Sequence, residues 1–275
     1  MSHHEPSALP RPIAADWLTL RRPADEAARE GTQRLGSRLW RALQERPEAR
    51  PGRPVHVIDL GAGTGANQAW LAQRLPFPTR WTLLDHDPDL LHHPETAAQG
   101  NRVHGGIEDL PDLLTDADGT TVLTCSALLD LLTPAQLDDL ARVIVDRSVP
   151  ALFSLTVDGT VTLAPADEDD ETIGAAFEAH QQREDIAGST AAAHLAGRLR
   201  EAGAEVVEAA TPWRLTTSDA DLIERYLTDR VAAAVEQEPT LAERGRRWLE
   251  RRLDQCREGR LAVVVGHVDL LVLPR

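Results

Sequence analysis

The densest chemistry in the chain lies in the stretch HVIDLGAGTGANQAW, where Asp59 is followed by Gly61, Gly63 and Gly65. An apolar run ends in an acid, three glycines alternate with other residues, and a segment able to start a helix comes next. Glycines so spaced let a backbone approach a ligand closely and aim its amides at it. Three of them in five residues weaken a helix start unless close approach gains something. The acid two residues ahead of the turn selects by charge, repelling a pyrophosphate and attracting a cation. A second acid, Asp85, ends the apolar run of WTLLDHDP 20 residues after Gly65. That is close to the separation of about 20 at which a carboxylate at the end of the next strand accepts from ribose hydroxyls.

What the chain lacks narrows the chemistry further. All 29 basic residues are arginine, which excludes Schiff-base chemistry and the lysine of a phosphate-binding P-loop. The formal net charge of −15 opposes a phosphate backbone, so no nucleic-acid partner is expected. The densest basic run, ERGRRWLERRLDQCREGR (Glu243 to Arg260), alternates acids with arginines at helical spacing and is expected to be a solvated, salt-bridged helix face. The ten histidines form no H-x-x-x-H pair and accompany no cysteine, so no metal is expected. Cys125 and Cys256 make no disulfide framework and are expected as reduced thiols. No apolar run is long enough to cross a bilayer. The opening MSHHEPSALPRP lacks the basic and apolar regions of a secretory signal, so a cytoplasmic location is expected.

The elements that must position Asp59 and the glycines follow from periodicity. Residues 1–50 are expected as a helical cap, with Trp17, Leu18 and Leu20, then Leu35, Leu39, Trp40 and Leu43, at helical intervals. RPEARPGRP breaks that pattern as a linker. From Val55, strands alternate with helices: VHVIDL, a helix near Asn67 to Arg74, RWTLLD, a short helix near Pro88 to His93, NRVHGG, and TTVLTCSALLD. The alternation predicts a parallel sheet with crossover helices. Asp158-Gly159 lies between two β-prone runs and predicts a hairpin. DEDDETIGAAFEAHQQRED predicts a helix with Ile173, Phe177 and His180/Gln181 on one stripe. LAVVVGHVDLLVLP, near Leu261 to Leu273, predicts a buried, antiparallel final strand.

Taken together, Asp59, Gly61, Gly63 and Gly65 form D-x-G-x-G-x-G, which resembles the first motif of class I S-adenosylmethionine (SAM)-dependent methyltransferases. The resemblance covers roughly Val55 to Pro274. It implies an α/β fold: a doubly wound, mostly parallel seven-stranded sheet with an antiparallel last strand, Rossmann-like, under the N-terminal helical cap. The methyltransferase domain would span 51–275, with a lid insert near 165–190. The cofactor would be SAM and its product S-adenosylhomocysteine (SAH), with Asp59 attracting the methionyl ammonium and Asp85 the ribose. In GGIEDLPDLL the family encloses the adenine, which assigns Ile107 an apolar face and Glu108 or Asp109 the exocyclic amine. Gly106 departs from the family, which often has an aspartate there. VLTCSALLDLL resembles the fourth motif, whose strand end lies beside the cofactor's methyl group, which places Ser126 among the cofactor-binding residues; it lacks the N-P-P-Y/F form, so Ser126 and Asp130 point to a small-molecule methyltransferase.

For substrate contact the sequence offers His180 and Arg183, three apart on a helical face beside Phe177. A histidine there could take a proton and an arginine could pair with an anionic acceptor. Trp17, Arg21 and Arg22 resemble the cap these enzymes place over the substrate. The expected reaction is in-line displacement at the sulfonium methyl. Two alternatives share the motif: a methyltransferase-fold protein with a non-methylating or cofactor-binding role, and a nicotinamide-dependent oxidoreductase. The latter reads Gly61, Gly63 and Ala66 as G-x-G-x-x-A but lacks a Tyr-x-x-x-Lys pair, Tyr226 being the single tyrosine. Neither the acceptor's methylated atom nor an oligomeric state is specified by these residues.

Overall fold

The chain enters through α1 (Ala15–Arg29) and α2 (Gln33–Gln44) and then alternates strand with helix. The alternation runs β1 (Val55–Leu60), α3 (Ala66–Leu71), β2 (Thr79–Asp85), α4 (Pro88–Leu91), β3 (Asn101–His104), α5 (Leu110–Thr115), β4 (Thr121–Ser126) and α6 (Pro134–Asp146). β5 (Ala151–Ala164), α7 (Asp170–Gln181), α8 (Ala191–Glu201), β6 (Glu205–Ala210), β7 (Trp213–Leu215), α9 (Ala220–Gln237), α10 (Ala242–Arg257) and β8 (Ala262–Leu273) complete it. The computed structural model describes residues 14–30, 33–46, 53–93, 99–115 and 120–275. Most of the linker expected after α2, and the first thirteen residues, lie outside them.

The sheet order is β3-β2-β1-β4-β5-β8-β6, with short β7 also paired to β8. β1 through β5 are parallel, and β8 is antiparallel to β5, β6 and β7. The antiparallel final strand therefore starts one residue after the predicted boundary. All six residues of β1 are buried, as expected of a central strand covered on both faces. Alternate side chains serve two cores. Ile58, Leu60, Leu84, Leu123 and Phe153 pack with Leu137, Ile144 and Leu195 of α6 and α8. Val57, Leu83 and Leu152 pack on the other face with Leu35, Leu39 and Leu43 of α2 and Trp70 of α3.

Two expectations change in the structure. The N-terminal helices divide: α2 belongs to the layer under the sheet, and α1 alone crosses to a third core. That core holds Ala24 with Ile173, Trp213, Ile223, Leu227, Trp248 and Val263, joining α1 to α7, α9, α10 and the outer halves of β5 and β8. The hairpin predicted at Asp158-Gly159 does not form. β5 runs straight on for 14 residues, with irregular register against β8 between Val157 and Val161. Gly159 takes φ +82, and the Asp158 carboxylate accepts from the Thr160 N–H at 2.8 Å and from its hydroxyl. The turn-forming pair thus makes a bulge inside one strand. Gly266 of β8 faces it, where a Cβ would collide with Asp158 and Thr160.

The arginine-rich α10 also differs from its predicted form. On its exposed side Arg246 pairs with Glu243 and Glu250 as expected. On its inner side Arg251 makes two 2.8 Å bonds to Asp167 and one to Asp169, and Arg252, wholly buried, pairs with Asp170. The acidic run before α7 is therefore the counter-charge of α10.

Candidate active site

At the C-terminal end of β1 the three glycines of the turn take positive φ: +59 at Gly61, +52 at Gly63 and +80 at Gly65. Side chains avoid that region. At Gly61 space is also closed, because a Cβ would come within 2.7 Å of Leu128 Cδ1. Leu18 of α1 lies over the turn, its Cδ1 3.5 Å from the position of a Cβ on Gly63.

Asp85, at the end of neighbouring β2, is tied to this turn. Its Oδ2 accepts from the Gly63 N–H at 2.7 Å, and its Oδ1 from the Asp87 N–H at 2.9 Å. His86 Nδ1 lies 3.3 Å from Oδ1, and that bond holds the imidazole above its usual pKa. The separation read from sequence thus brings Asp85 and the glycines into direct contact. Further along, the residues 107–109 form a single 3-10 turn in which Asp109 Oδ2 accepts from the Gly106 N–H at 2.9 Å. Glu108 places its carboxylate where a Cβ on Gly106 would project.

Asp59 is fully buried beneath the turn. Its Oδ1 accepts from Asn67 Nδ2, and its Oδ2 is buried without a hydrogen-bond partner among the described residues. Burial lifts the carboxyl to about 7, against the Asn67 bond and the nearby Arg29 charge. Arg29, from the last turn of α1, donates to Asn67 Oδ1 at 2.8 Å and to Ser154 Oγ at 3.4 Å, and its guanidinium lies 4.2 Å from the Trp70 ring centroid. A polar seam therefore links the cap helix, the helix after the glycines and the strand ends. Sequence reasoning missed Asn67 and Arg29. A polar residue opening α3 was the available signal for the first, and nothing local marks the second.

After β4 the chain turns through Ser126, Ala127 at φ +54, and Leu128. Asp130 follows, in the turn 129–131. Its Oδ1 is buried and unpartnered, and burial raises its carboxyl despite Arg21 nearby. On the opposite wall Arg21 donates to both oxygens of Asp25, at 2.8 and 3.1 Å, and Asp25 accepts from Trp213 Nε1 at 2.9 Å. Trp17 meets Trp213 edge-on at 6.4 Å. His267 lies 4.9 Å from that same ring, and burial lowers it to about 4. Glycines and acids at the strand ends thus form a floor over which α1 packs.

No family model and no curated protein matches the sequence. Solved structures do. A cyclopropane-fatty-acyl-phospholipid synthase-like protein from Lactobacillus casei ATCC 334 is 14% identical, with 95% of this chain and 94% of that one covered at a TM-score of 0.50. The fold is the Rossmann-like methyltransferase fold. The chain is also similar to the cyclopropane synthase MmaA2 from Mycobacterium tuberculosis, at 12% identity, 86% and 83% coverage and a TM-score of 0.43. Mycolic acid cyclopropane synthase CmaA1, described in complex with SAH and CTAB, gives 12%, 84% and 83%, and 0.41.

Of the residues expected to bind the cofactor, Asp59, Gly61, Gly63, Gly65 and Asp85 converge on one turn, with Ile107, Glu108 and Asp109 in the segment that follows β3. Ser126 ends the adjacent β4. The structure does not bring His180 or Arg183 into hydrogen-bonding contact with this set. Ile173 and His180 do share the inner side of α7, but that side meets α9. His180 Nε2 lies 3.4 Å from Glu236 Oε2, and Arg183 bonds Gln237 at 2.6 Å and Glu236 at 3.1 Å. Among the described residues no three His, Cys, Asp or Glu could hold a metal ion, and no helix is long and apolar enough to cross a membrane.

Proposed function

We propose that the chain is a SAM-dependent methyltransferase acting on a small-molecule acceptor held beneath α1. The observation that carries this reading is Asp59, a buried carboxyl with one unpartnered oxygen under a turn of three left-handed glycines. A pyrophosphate above that turn would meet a buried acid, whereas a methionyl ammonium would favour its ionised form and find a counter-charge. When bound there, the cofactor supplies a methyl group already activated by the sulfonium charge.

The chain's own residues bind, orient and exclude water. Asp85 retains acceptor capacity beyond its two amide bonds, because each carboxylate oxygen offers two lone-pair sites; this supports ribose recognition. Glu108 takes the adenine amine and Ile107 a face of the ring, while Asp109 closes the turn that presents them. Leu18 and Leu128 cover the glycines from either side. Ser126 and Asp130 face the acceptor, and Asp130, with its raised carboxyl and unpartnered oxygen, suits removal of an acceptor proton. His180 and Arg183 act in this reading as positioning residues. Held by α9, they fix the segment whose Ala187 N–H donates to the Leu132 carbonyl at 2.8 Å, two residues from Asp130.

Alignment in such a site is worth about 7–11 kcal/mol, enough to leave little general-base work for a phenol or amine acceptor. The test is transfer of isotope-labelled methyl from SAM to a panel of small phenols, amines and carboxylic acids, with SAH counted as product. Transfer matched one-to-one by SAH supports the reading. Binding of NAD in preference to SAM overturns it.

A further inference from the structure

The inner face of α1 carries Leu18, Arg22, Asp25 and Arg29 at spacings of four, three and four, which places them on one stripe of the helix. Three of the four are anchored. Leu18 rests over Gly63, Asp25 is bound by Trp213 and Arg21, and Arg29 reaches Asn67 and Ser154. Arg22 sits between Leu18 and Arg29 on that stripe, one helical turn from the Leu18 that covers Gly63. Its Nε is buried with no acceptor, and among the described residues it makes no hydrogen bond, ion pair or ring contact. Arg21 and Arg29, on the same helix, both have carboxylate or amide partners. A guanidinium nitrogen withdrawn from water without an acceptor calls for one. The complementary orphan is Asp59 Oδ2, on the floor under the same turn. One orphan cation above and one orphan acid below match a ligand with an anion and a cation close together, as on the single α-carbon of an amino acid.

We propose that Arg22 binds the carboxylate of the methionyl arm of SAM and SAH, an inference that rests on the cofactor reading given above. Arg22 then acts as the part of the roof that senses the loaded cofactor, because its helix meets the carboxylate only when the arm lies on the turn. The adenosine end of the ligand is untouched by it.

The experiment is isothermal titration of the full chain with SAH, with 5′-methylthioadenosine, which keeps the nucleoside and sulfur but lacks the amino-acid arm, and with SAM and decarboxylated SAM, which differ only in the carboxylate. Arg22→Ala and the longer Arg22→Gln are expected to weaken SAH about 10- to 100-fold, as loss of a charge-assisted bond implies, with 5′-methylthioadenosine unchanged within twofold. Equal losses for both ligands, or no loss for either, in a variant that keeps the wild-type melting temperature overturns the inference. If both variants fail to fold, the wild-type chain still decides: it must bind decarboxylated SAM at least tenfold more weakly than SAM, and equal affinities refute the role. A wild-type chain that binds none of these ligands removes the cofactor reading itself, whereas one that binds SAH and 5′-methylthioadenosine with the above failures removes only Arg22.

Discussion

In the floor at the strand ends one carboxylate, Asp85, is closed upon by the amides of Gly63 and Asp87. Where α7 meets α10, Asp167, Asp169 and Asp170 are held by Arg244, Arg251 and Arg252, side chains 75 to 84 residues further along the chain. The floor is fixed by backbone geometry over short stretches, and the α7–α10 contact by side-chain charges over long ones. Substitutions in the two regions should fail differently: those at the α7–α10 contact through stability, those in the floor through binding.

The largest effect is expected at Arg252. Its side chain is wholly buried and holds Asp170, and breaking a buried pair by removing one partner destabilises by about 3–5 kcal/mol. Arg252→Ala should lower the melting temperature by several degrees while the remaining folded protein binds SAH as the wild type does. A variant with wild-type stability would erase the distinction between the two regions. Asp85→Ala should do the reverse, weakening SAH at least tenfold through loss of charge-assisted bonds worth about 1.5–3 kcal/mol each. Calorimetric affinity unchanged in a folded Asp85→Ala would show that the ribose lies elsewhere.

A smaller effect sharpens the comparison where cap and sheet meet. Burial holds His267 neutral, near pKa 4, whereas an unfolded histidine titrates near 6.5. Between those values the unfolded chain binds one more proton than the native chain, so this group's contribution is complete above pH 6.5 and is lost as pH falls through 4. His267→Gln should flatten the fall in stability across that window. Denaturant melts at pH 4.5 and 7 check it; an unchanged slope would mean that the ring is solvated.

Legibility from sequence follows the same division. Asp59, the glycines and Asp85 were readable because strand, turn and helix each leave a local pattern, and the contact of Asp85 with Gly63 is a consequence of adjacent parallel strands. The final strand was readable for the same reason, as an apolar run that only burial explains. Arg29 and Arg252 were not readable, because burial of an arginine depends on partners distant in the chain. Asp158-Gly159 shows a local signal correctly identified and wrongly used: the pair does turn the backbone, but β8 continues alongside it, and the ladder turns a hairpin signal into a bulge. His180 shows the limit of periodicity. Its spacing placed it on the buried side of α7, but that side faces α9, and only the packing of helices decides which neighbour a stripe meets.

The most direct test of the central claim is titration of the chain with SAH and with NAD at pH 6.5, in buffers of different ionisation enthalpy. Asp59, raised to about 7, is mostly protonated at that pH; an arriving ammonium favours its ionised form, so binding should release a fraction of a proton and strengthen as pH rises towards 8. The account expects one SAH per chain, proton release that disappears in Asp59→Asn, and no comparable binding of NAD. Binding of NAD without SAH, or an Asp59→Asn variant that binds SAH with the wild-type affinity and the wild-type proton release, would contradict it.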